Sequence, residues 1–338
     1  MARKTIGLVI AILLLFSLAG CKGSYGTKPK DLDDPMPELW EERLSGKAFD
    51  TSAIDIKTAT EITIGADITD INLGEFYAAK NLQNIFVADG NQKFASDDGV
   101  LYSKSYQTLY KWPTKKLITE LRETIKYFAP YCFYGCDMPE DFEIPNGTIT
   151  IGGGAFEGTT LTEFHIKQNV KTVGSWKYSE TTKQIKSYGI YPETCKTVKI
   201  STPIVYASFF LCNTFGNTIE TVIFNEGVRQ IRAMGNGKRE HLFFMMGTKN
   251  IEFPSTLEVI GDVSFPVNVM VANYVIPERV VYLGKYAFDD YYVKTGKNAK
   301  PVNVPRNVET TFDCKGEVSI KYIEKHSPEW AKNRNRGY

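Results

Sequence analysis

The chain has 338 residues, of which 43% are hydrophobic and 13% aromatic, and its formal net charge is +1. This composition is typical of a folded protein and excludes a disordered chain, and the balanced charge provides no basic field for nucleic acid. In chain order, the first predicted element is an apolar run, residues 6–20, that follows Arg3 and Lys4. Its length and flanking charges predict a secretory signal peptide over residues 1–20 and are wrong for a membrane span.

The apolar run ends in Leu18-Ala19-Gly20-Cys21, which resembles the lipobox of bacterial lipoproteins. The resemblance implies cleavage after Gly20, a diacylglycerol on the Cys21 sulfur and acylation of the new amine. A thiolate is the nucleophile that such a transfer needs, and several acyl chains hold a protein on a bilayer far better than one. The alternative is an ordinary signal peptide followed by a cysteine by chance. The coincidence of cleavage site and cysteine favours lipidation of Cys21.

Residues 21–50 follow as a predicted tether between membrane and folded domain. The stretch "KGSYGTKPKDLDDPMP" is rich in Gly, Pro, Lys and Asp and nearly free of large apolar residues, as flexible linkers are. The stretch "ELWEERL", residues 38–44, indicates one or two helical turns before the repeats begin. Removing residues 1–20 would change the formal charge from +1 to −1.

From residue 51 to about residue 325 the chain is a string of short β-type segments broken by Gly, Asn and Pro. A nine-residue pattern recurs among them, with an apolar residue at the fourth position, Phe at the ninth and, in four of five copies, an apolar residue at the first. Its five copies are residues 68–76, 125–133, 148–156, 257–265 and 280–288, and weaker copies start at Val170, Val228 and Val308. The final Phe residues of neighbouring copies lie 23 residues apart, a period typical of leucine-rich repeats. Segments too short to bury an apolar face alone predict a solenoid in which each coil covers the next.

Each position of the pattern has a mechanical interpretation. The first and fourth residues are expected to point inward, and the Phe to fill the space between stacked coils. A glycine follows the fourth position, where a positive φ would turn the chain without a Cβ clash; these glycines are Gly152, Gly174, Gly261 and Gly284. Later in the coil an apolar residue and a proline stop strand pairing and send the chain into the next corner.

The pattern resembles the BspA-like leucine-rich repeat of surface proteins from gut and oral bacteria and some protists. A second stretch, "NQKFASDDGVLYSKSYQTLYKWP" at residues 91–113, is similar to a segment that often follows a repeat in that family. The matching residues are Asn91, Phe94, Ser96, Asp98, Gly99, Val100, Leu101, Tyr102, Lys104, Leu109, Trp112 and Pro113. The resemblance implies a mainly β repeat solenoid of about 23-residue repeats over residues 51–325, with an inserted β-hairpin at about 91–113 and "SKSYQ" as its turn. It departs from the family at residues 176–200 and 235–248, where coils carry insertions or have decayed.

Catalytic and metal-binding candidates are sparse, and we predict no enzyme, no cofactor and no metal site. None of the three histidines has a second ligand at metal spacing, and His165 in "LTEFHI" is best interpreted as an outward-facing strand residue. The acidic pairs at 97–98 and 289–290 could hold calcium or form a carboxylate dyad, but their loop positions favour solvated side chains. No phosphate-binding loop or nucleophile elbow occurs. Catalytic carboxylates can be distant in sequence, so a hydrolase stays open as a third possibility.

The cysteines after Cys21 form no disulfide framework. Cys132 and Cys136 could pair with each other, but Cys132 sits beside a repeat Phe, where a small buried residue is expected. Inert buried thiols are therefore the favoured interpretation. The polar tail, residues 326–338, is expected to cap the solenoid or to leave it.

The family resemblance implies adhesion to host or matrix proteins or to other cells. Tyr291 and Tyr292, which lie between charged residues, are candidate exposed contacts for protein or glycan. The alternative is a glycan-capturing or docking accessory subunit of a surface or periplasmic complex. Exposed coplanar aromatics in a groove would favour that alternative, and a broad polar and aromatic sheet face would favour protein adhesion.

The expected partners are the membrane, through lipidated Cys21, and an extracellular protein or glycan, with no nucleic acid and no small-molecule cofactor. The expected location is the surface of an outer membrane. Lys22 supports it, because an aspartate after the lipidated cysteine favours inner-membrane retention in some bacteria.

Overall fold

The structure, a computed structural model, describes residues 40–41, 46–179, 184–206, 219–232, 249–260, 276–280 and 282–283. Two short 3-10 helices, Thr51–Ala53 and Leu73–Ala78, accompany the strands in these ranges. The strands are β1 (Trp40–Glu41), β2 (Glu61–Ile64), β3 (Asn84–Val87), β4 (Phe94–Asp97), β5 (Val100–Ser103), β6 (Thr108–Lys111), β7 (Tyr127–Phe128), β8 (Thr150–Ile151), β9 (Glu163–Ile166), β10 (Thr172–Val173), β11 (Ser175–Ser179), β12 (Gln184–Tyr188), β13 (Thr197–Ile200), β14 (Ile204–Tyr206), β15 (Thr221–Phe224), β16 (Gln230–Arg232), β17 (Asn250–Glu252), β18 (Val259–Ile260) and β19 (Tyr282–Leu283). Among the described residues, no helix has the length and hydropathy needed to span a bilayer.

Successive coils contribute strands to two sides of a solenoid. On one side, β9, β13, β15 and β17 form a parallel four-stranded sheet. On the other, the short strands β7, β8 and β10 pair in parallel, and farther along the chain so do β14, β16, β18 and β19. Short parallel strands that each pair with the equivalent strand of the next coil confirm the predicted mainly β repeat solenoid.

The apolar positions of the repeat form the core, as predicted. The first and fourth residues of the third copy, Thr148 and Ile151, are both fully buried, and so are Val170 and Val173 of the weaker copy after it. In the four-stranded sheet the inward residues are in register across the strands and are also buried: Phe164, Val198, Val222 and Ile251. Because every coil leaves its apolar face open at both ends, stacking is what removes these side chains from water.

The ninth-position Phe residues stack between coils. Phe133 and Phe156 have no exposed surface, and their rings lie 5.4 Å apart with planes only 14° from parallel. Phe142 approaches both rings edge-on with centroid distances of 5.6 Å. Phe76 of the first copy is also buried, whereas Phe265 and Phe288 lie outside the described residues. The predicted filling of the space between coils is thus confirmed for the described copies.

The predicted hairpin insertion is present and is part of the solenoid's sheet. Strands β4, β5 and β6 form an antiparallel meander, and β6 then pairs in parallel with β7 of the next coil. The second turn of the meander falls within "SKSYQ", between Ser103 and Thr108, as expected. The first turn is Asp98-Gly99, where both residues have positive φ, 46° and 70°, as a two-residue hairpin turn requires. The insertion therefore interrupts the sequence repeat without interrupting the sheet.

The mechanical interpretation of the corner glycine is wrong at Gly152. Gly174 does have a positive φ of 93°, but Gly152 is not among the residues with positive φ. A Cβ on Gly152 would instead lie 2.5 Å from the backbone nitrogen of Pro130 in the preceding coil. Glycine is required here because two coils approach closely, not because the chain turns through a left-handed conformation. Gly261 and Gly284 lie outside the described residues.

The start of the chain also differs from expectation. The helical turns predicted over residues 38–44 are wrong at Trp40–Glu41, which is strand β1 and pairs in parallel with β11. Residues 46–50, at the end of the predicted tether, already contact the first coil: the Phe49 ring lies on Phe76, with centroids 6.4 Å apart, and Phe49 N donates to Asp70 O. The tether and tail boundaries stay predictions.

The first region of departure from the family, residues 176–200, contains an inserted antiparallel hairpin. Strands β11 and β12 pair along their whole length, and β1 adds to the free side of β11. The coil resumes directly afterwards, because Gly154 N and Phe156 N donate to Gly189 O and Ile190 O. Ile190 and Tyr191 are buried, so the core continues past the insertion. The second region, residues 235–248, lies outside the described residues.

Candidate binding surface

The four-stranded sheet has an outward side that runs across consecutive coils, which we call the outer sheet face. Alternation along each strand buries one side and leaves the other half-buried or exposed. Two rows of outward residues lie in register across β9, β13, β15 and β17: Glu163, Thr197, Thr221 and Asn250 in one row, and His165, Lys199, Ile223 and Glu252 in the other. The outward-facing position predicted for His165 is therefore the one that the structure shows.

Ion pairs between neighbouring strands neutralise this face. Lys199 pairs with Glu163 across β13 and β9, and Glu220, just before β15, lies between Lys196 and Lys249. The hydrogen bond from Lys249 is the main reason why the pKa of Glu220 is lowered. Solvent-exposed pairs contribute little to folding because water screens them. Their side chains can therefore exchange partners when another surface approaches.

A tyrosine cluster lies on the segment that follows the repeat Phe. Tyr77, Tyr134 and Glu157 each come directly after a repeat Phe, so stacked coils bring them together. The Tyr77 ring lies 4.6 Å from the Tyr131 ring and 3.9 Å from the Tyr134 ring, and its hydroxyl donates to Glu157 Oε2 at 3.1 Å. Burial, followed by the charge effects of Tyr131 and Glu157, raises the pKa of Tyr77 far above its usual value. Tyr77 therefore stays neutral and fastens three coils together.

The geometry of this cluster does not match a glycan-stacking groove. The Tyr77 ring is tilted by 58° from Tyr131 and by 54° from Tyr134, so the three rings offer no common plane to a sugar. This cluster was not predicted, although the aromatic residues that follow Phe76 and Phe133 are visible in the sequence. The candidate contacts Tyr291 and Tyr292 lie outside the described residues, as does Cys21.

The buried thiols have no features of reactive cysteines. Cys132 and Cys136 are free and buried, and burial raises the pKa of both, that of Cys136 to about 11. A high pKa leaves almost no thiolate at neutral pH, so neither sulfur is set up as a nucleophile or a metal ligand. This agrees with their interpretation as inert packing residues.

The first acidic pair is engaged by basic side chains. Asp97 bonds Arg122, whose guanidinium lies over the Tyr106 ring at 4.6 Å, and Asp98 pairs with Lys116 at 3.0 Å. The two carboxylates therefore stabilise the meander rather than facing each other. Within the described ranges no three His, Cys, Asp or Glu residues are grouped so that they could hold a metal ion.

Comparison with known proteins gives a family match over most of the chain. The sequence pattern of the BspA type leucine rich repeat region matches in six copies, over residues 47–185, 126–234 and 183–310. No curated protein matches the chain.

Several solved structures match parts of the chain at low sequence identity. A leucine-rich repeat protein from Eubacterium ventriosum is 22% identical with a TM-score of 0.48, over 68% of this chain and 58% of that one. The pneumococcal vaccine antigen PcpA is 19% identical with a TM-score of 0.34, over 65% of this chain and 56% of that one. A leucine rich cell surface protein from Faecalibacterium prausnitzii is 15% identical with a TM-score of 0.23, over 69% of this chain and 71% of that one. The chain thus spans less than two thirds of the first two proteins.

Proposed function

The chain belongs to the BspA-type leucine-rich repeat family, and from that premise we propose that it is a bacterial cell-surface binding protein. Its solenoid binds another macromolecule, in adhesion to host or matrix proteins or to other cells. A lipid on Cys21 anchors it, and the surface of an outer membrane is its location. The binding function needs no cofactor and no covalent chemistry.

The observation that carries this proposal is the outer sheet face. Four strands from successive coils are held in register, and neighbouring strands are about 4.8 Å apart, so the rows extend about 15 Å across the sheet. Most of the side chains are short or are paired with neighbours of opposite charge, and Glu252 adds one exposed carboxylate to this broad surface. Such a surface suits many weak contacts with a folded partner, because protein interfaces combine a modest apolar centre with a polar rim. Ile223 provides an apolar centre, and the ion pairs of Lys199 and Glu220 provide the rim.

The geometry of the outer sheet face also favours a protein over a glycan as the partner. A sugar-binding groove needs exposed rings that share a plane, and the two rows of the outer sheet face contain no aromatic residue. A single module with this small a face would bind weakly. Clustering on a membrane would raise its effective affinity through multivalency.

The anchor is tested with cells that express the wild type and the Cys21→Ala variant. Mass spectrometry measures acylation of the mature N-terminus, and protease added to intact cells measures surface exposure. We expect an acylated wild type that is cut from outside and a variant that has lost both the lipid and the membrane association. Equal behaviour of the two forms would refute the lipobox, and an acylated but protected wild type would refute adhesion.

The binding face is tested on an array of host proteins, matrix proteins and glycans. The Ile223→Arg variant places a long cation at the centre of the outer sheet face, and Leu117→Arg is the matched control because Leu117 is 77% exposed and is on none of the four strands of that face. We expect the wild type to bind proteins on the array. The binding signal should fall by about tenfold or more in Ile223→Arg, as the loss of one hot spot would cause, and should be unchanged in Leu117→Arg. Hits confined to glycans would favour the capture alternative, and equal loss in both variants would refute the assigned face.

A further inference from the structure

Ser201, His165 and Glu143 form a connected series beside the outer sheet face. His165 Nε2 lies 2.8 Å from Ser201 Oγ, and His165 Nδ1 lies 3.6 Å from Glu143 Oε2. The three residues come from three successive coils: Glu143 from the segment before β9, His165 from β9, and Ser201 from the position directly after β13. Neither the family's sequence pattern nor the binding function requires a serine, an imidazole and a carboxylate in this order.

The partners of Ser201 Oγ and His165 Nε2 indicate one arrangement of the protons. Asn225 Nδ2 donates to Ser201 Oγ at 2.9 Å, and an amide nitrogen can only donate. The same Nδ2 lies 3.4 Å from His165 Nε2, so the Ser201 hydroxyl, at 2.8 Å, shares that nitrogen with Asn225 when it directs its own proton there. The imidazole accepts at Nε2 and carries its proton on Nδ1, on the side of Glu143. This is the tautomer that a general base next to a hydroxyl nucleophile needs.

The surroundings keep the imidazole neutral. Burial is the first cause of the lowered pKa of His165, the charge of Lys167 is the second, and Lys199 acts in the same direction. Glu143 acts in the opposite direction and raises the pKa of His165. Its ion pair with Lys167 holds the carboxylate in place beside the ring. A neutral imidazole at neutral pH can take up a proton, which a protonated one cannot.

We propose that Ser201 is an acyl-accepting nucleophile with His165 as its general base, acting on small activated carboxylic esters. Ser201 Oγ attacks the ester carbonyl carbon as its proton moves to His165 Nε2. The carbon–oxygen bond to the leaving alcohol then breaks, and the alcohol takes the proton from His165. Water, deprotonated by the same imidazole, attacks the acyl group, releases the carboxylic acid and returns the hydrogen to Ser201 Oγ.

The remaining residues have supporting roles. Asn225 Nδ2 contacts both Ser201 Oγ and His165 Nε2, so it holds the two reacting groups together, and it would have to release the longer of these contacts to donate to the developing oxyanion. Glu143 is a positioning residue, because it touches the imidazole and not the substrate. Ser201 and His165 are half-buried at the outer sheet face, so solvent and a small ester can reach both side chains. The site therefore suits an acyl group as small as acetyl, and it works slowly.

The test uses the full chain and p-nitrophenyl acetate. We expect a burst of p-nitrophenolate, and an acetyl group on the Ser201 peptide when the reaction is stopped early. Ser201→Ala should lose both, and His165→Gln should lower the acylation rate about 100-fold, the usual contribution of a general base. Ser255→Ala is the control, because Ser255 is an exposed serine hydroxyl that is hydrogen-bonded to Glu226 and has no imidazole partner among its described contacts, and it should leave the rate unchanged.

Glu143→Gln separates positioning from simple structural support. The charged neighbours of the His165 ring are Glu143, Lys167 and Lys199. Because the Glu143 charge raises the pKa of His165, its loss should move the inflection of the pH–rate profile to lower pH. A mere loss of folded protein would lower the rate without moving the inflection. If Ser201→Ala fails to fold, Ser201→Cys keeps the side-chain size and should form an acetyl thioester. The proposal is overturned if the wild type, like Ser201→Ala, is acetylated on surface lysines and not on residue 201. It is also overturned if the wild type and Ser201→Ala release p-nitrophenolate at the same rate.

Discussion

Replacement of Phe156 by alanine should remove the ring on which the stacking of three coils depends. Phe156 has no exposed surface, and its ring lies 5.4 Å from Phe133, 4.7 Å from Phe164 and 6.2 Å from Phe128. A buried Phe→Ala change costs about 3–5 kcal/mol, and aromatic pairs of this kind are worth about 0.5–1.5 kcal/mol each beyond their area. With several such pairs lost, we expect the free energy of unfolding to fall by about 4–5 kcal/mol, which is about a quarter or more of the stability of an ordinary domain.

Urea unfolding of the mature protein in mild detergent, followed by tryptophan fluorescence, measures this loss. The control is Phe86→Ala, because Phe86 is 43% exposed and its removal leaves no cavity. We expect a lower unfolding midpoint for Phe156→Ala and a change of less than about 1 kcal/mol for the control. Coils interact mainly with their neighbours, so faster hydrogen exchange should be concentrated in β7, β8 and β9. Equal losses in both variants, or exchange that rises equally in β2 and β3, would refute the stacking argument.

Two further predictions concern the backbone and a buried charge. Gly152→Ala should lower the free energy of unfolding by about 1–3 kcal/mol, because the new methyl group overpacks against Pro130. Gly147→Ala is the control: the nearest atom to its new Cβ is 3.8 Å away, so the urea midpoint of this variant should not fall. Burial lowers the pKa of Lys111 in the folded protein. Between that lowered pKa and the usual lysine pKa, the unfolded chain binds more protons than the folded one. The free energy of unfolding therefore rises with pH in this range, by at most about 1.4 kcal/mol per pH unit. Lys111→Met should abolish this increase in the free energy of unfolding, which urea unfolding at several pH values measures. The same dependence of the free energy of unfolding on pH in the variant and the wild type would contradict the prediction.

Local patterns in the sequence were sufficient for the parts of the fold that depend on the side chains of one coil. The repeat Phe, the inward first and fourth positions and the meander all follow from residues that are close in sequence. Asn91 shows why such a motif is informative: its Nδ2 donates to Gly65 O and Ile68 O, and its Oδ1 accepts from Lys93 N and Phe94 N. A fully buried side chain with that many backbone partners leaves little freedom for another residue.

Features that depend on the distance between coils could not be predicted in the same way. Gly152 looked like a turn residue because the sequence does not show that Pro130 lies against it. A coil that begins at Thr202 and places Val205 at its fourth position was missed, although both residues are buried and the copy at Thr148 also begins with a threonine. The series of Ser201, His165 and Glu143 is spread over residues 143–201, and its members become neighbours only through the stacking of coils.

The pairing of β1 with β11 has a mechanical consequence. Trp40 and Glu41 precede the first coil in sequence but lie beside Ser175 and Trp176, past the third copy of the repeat. A pull on the N-terminal end of the chain would therefore load the middle of the solenoid before it loaded the first coil. Because the two strands are parallel, such a pull shears their hydrogen bonds together rather than opening them one by one. The coils between Ala48 and Val173 would be shielded from tension until that short parallel pair yields.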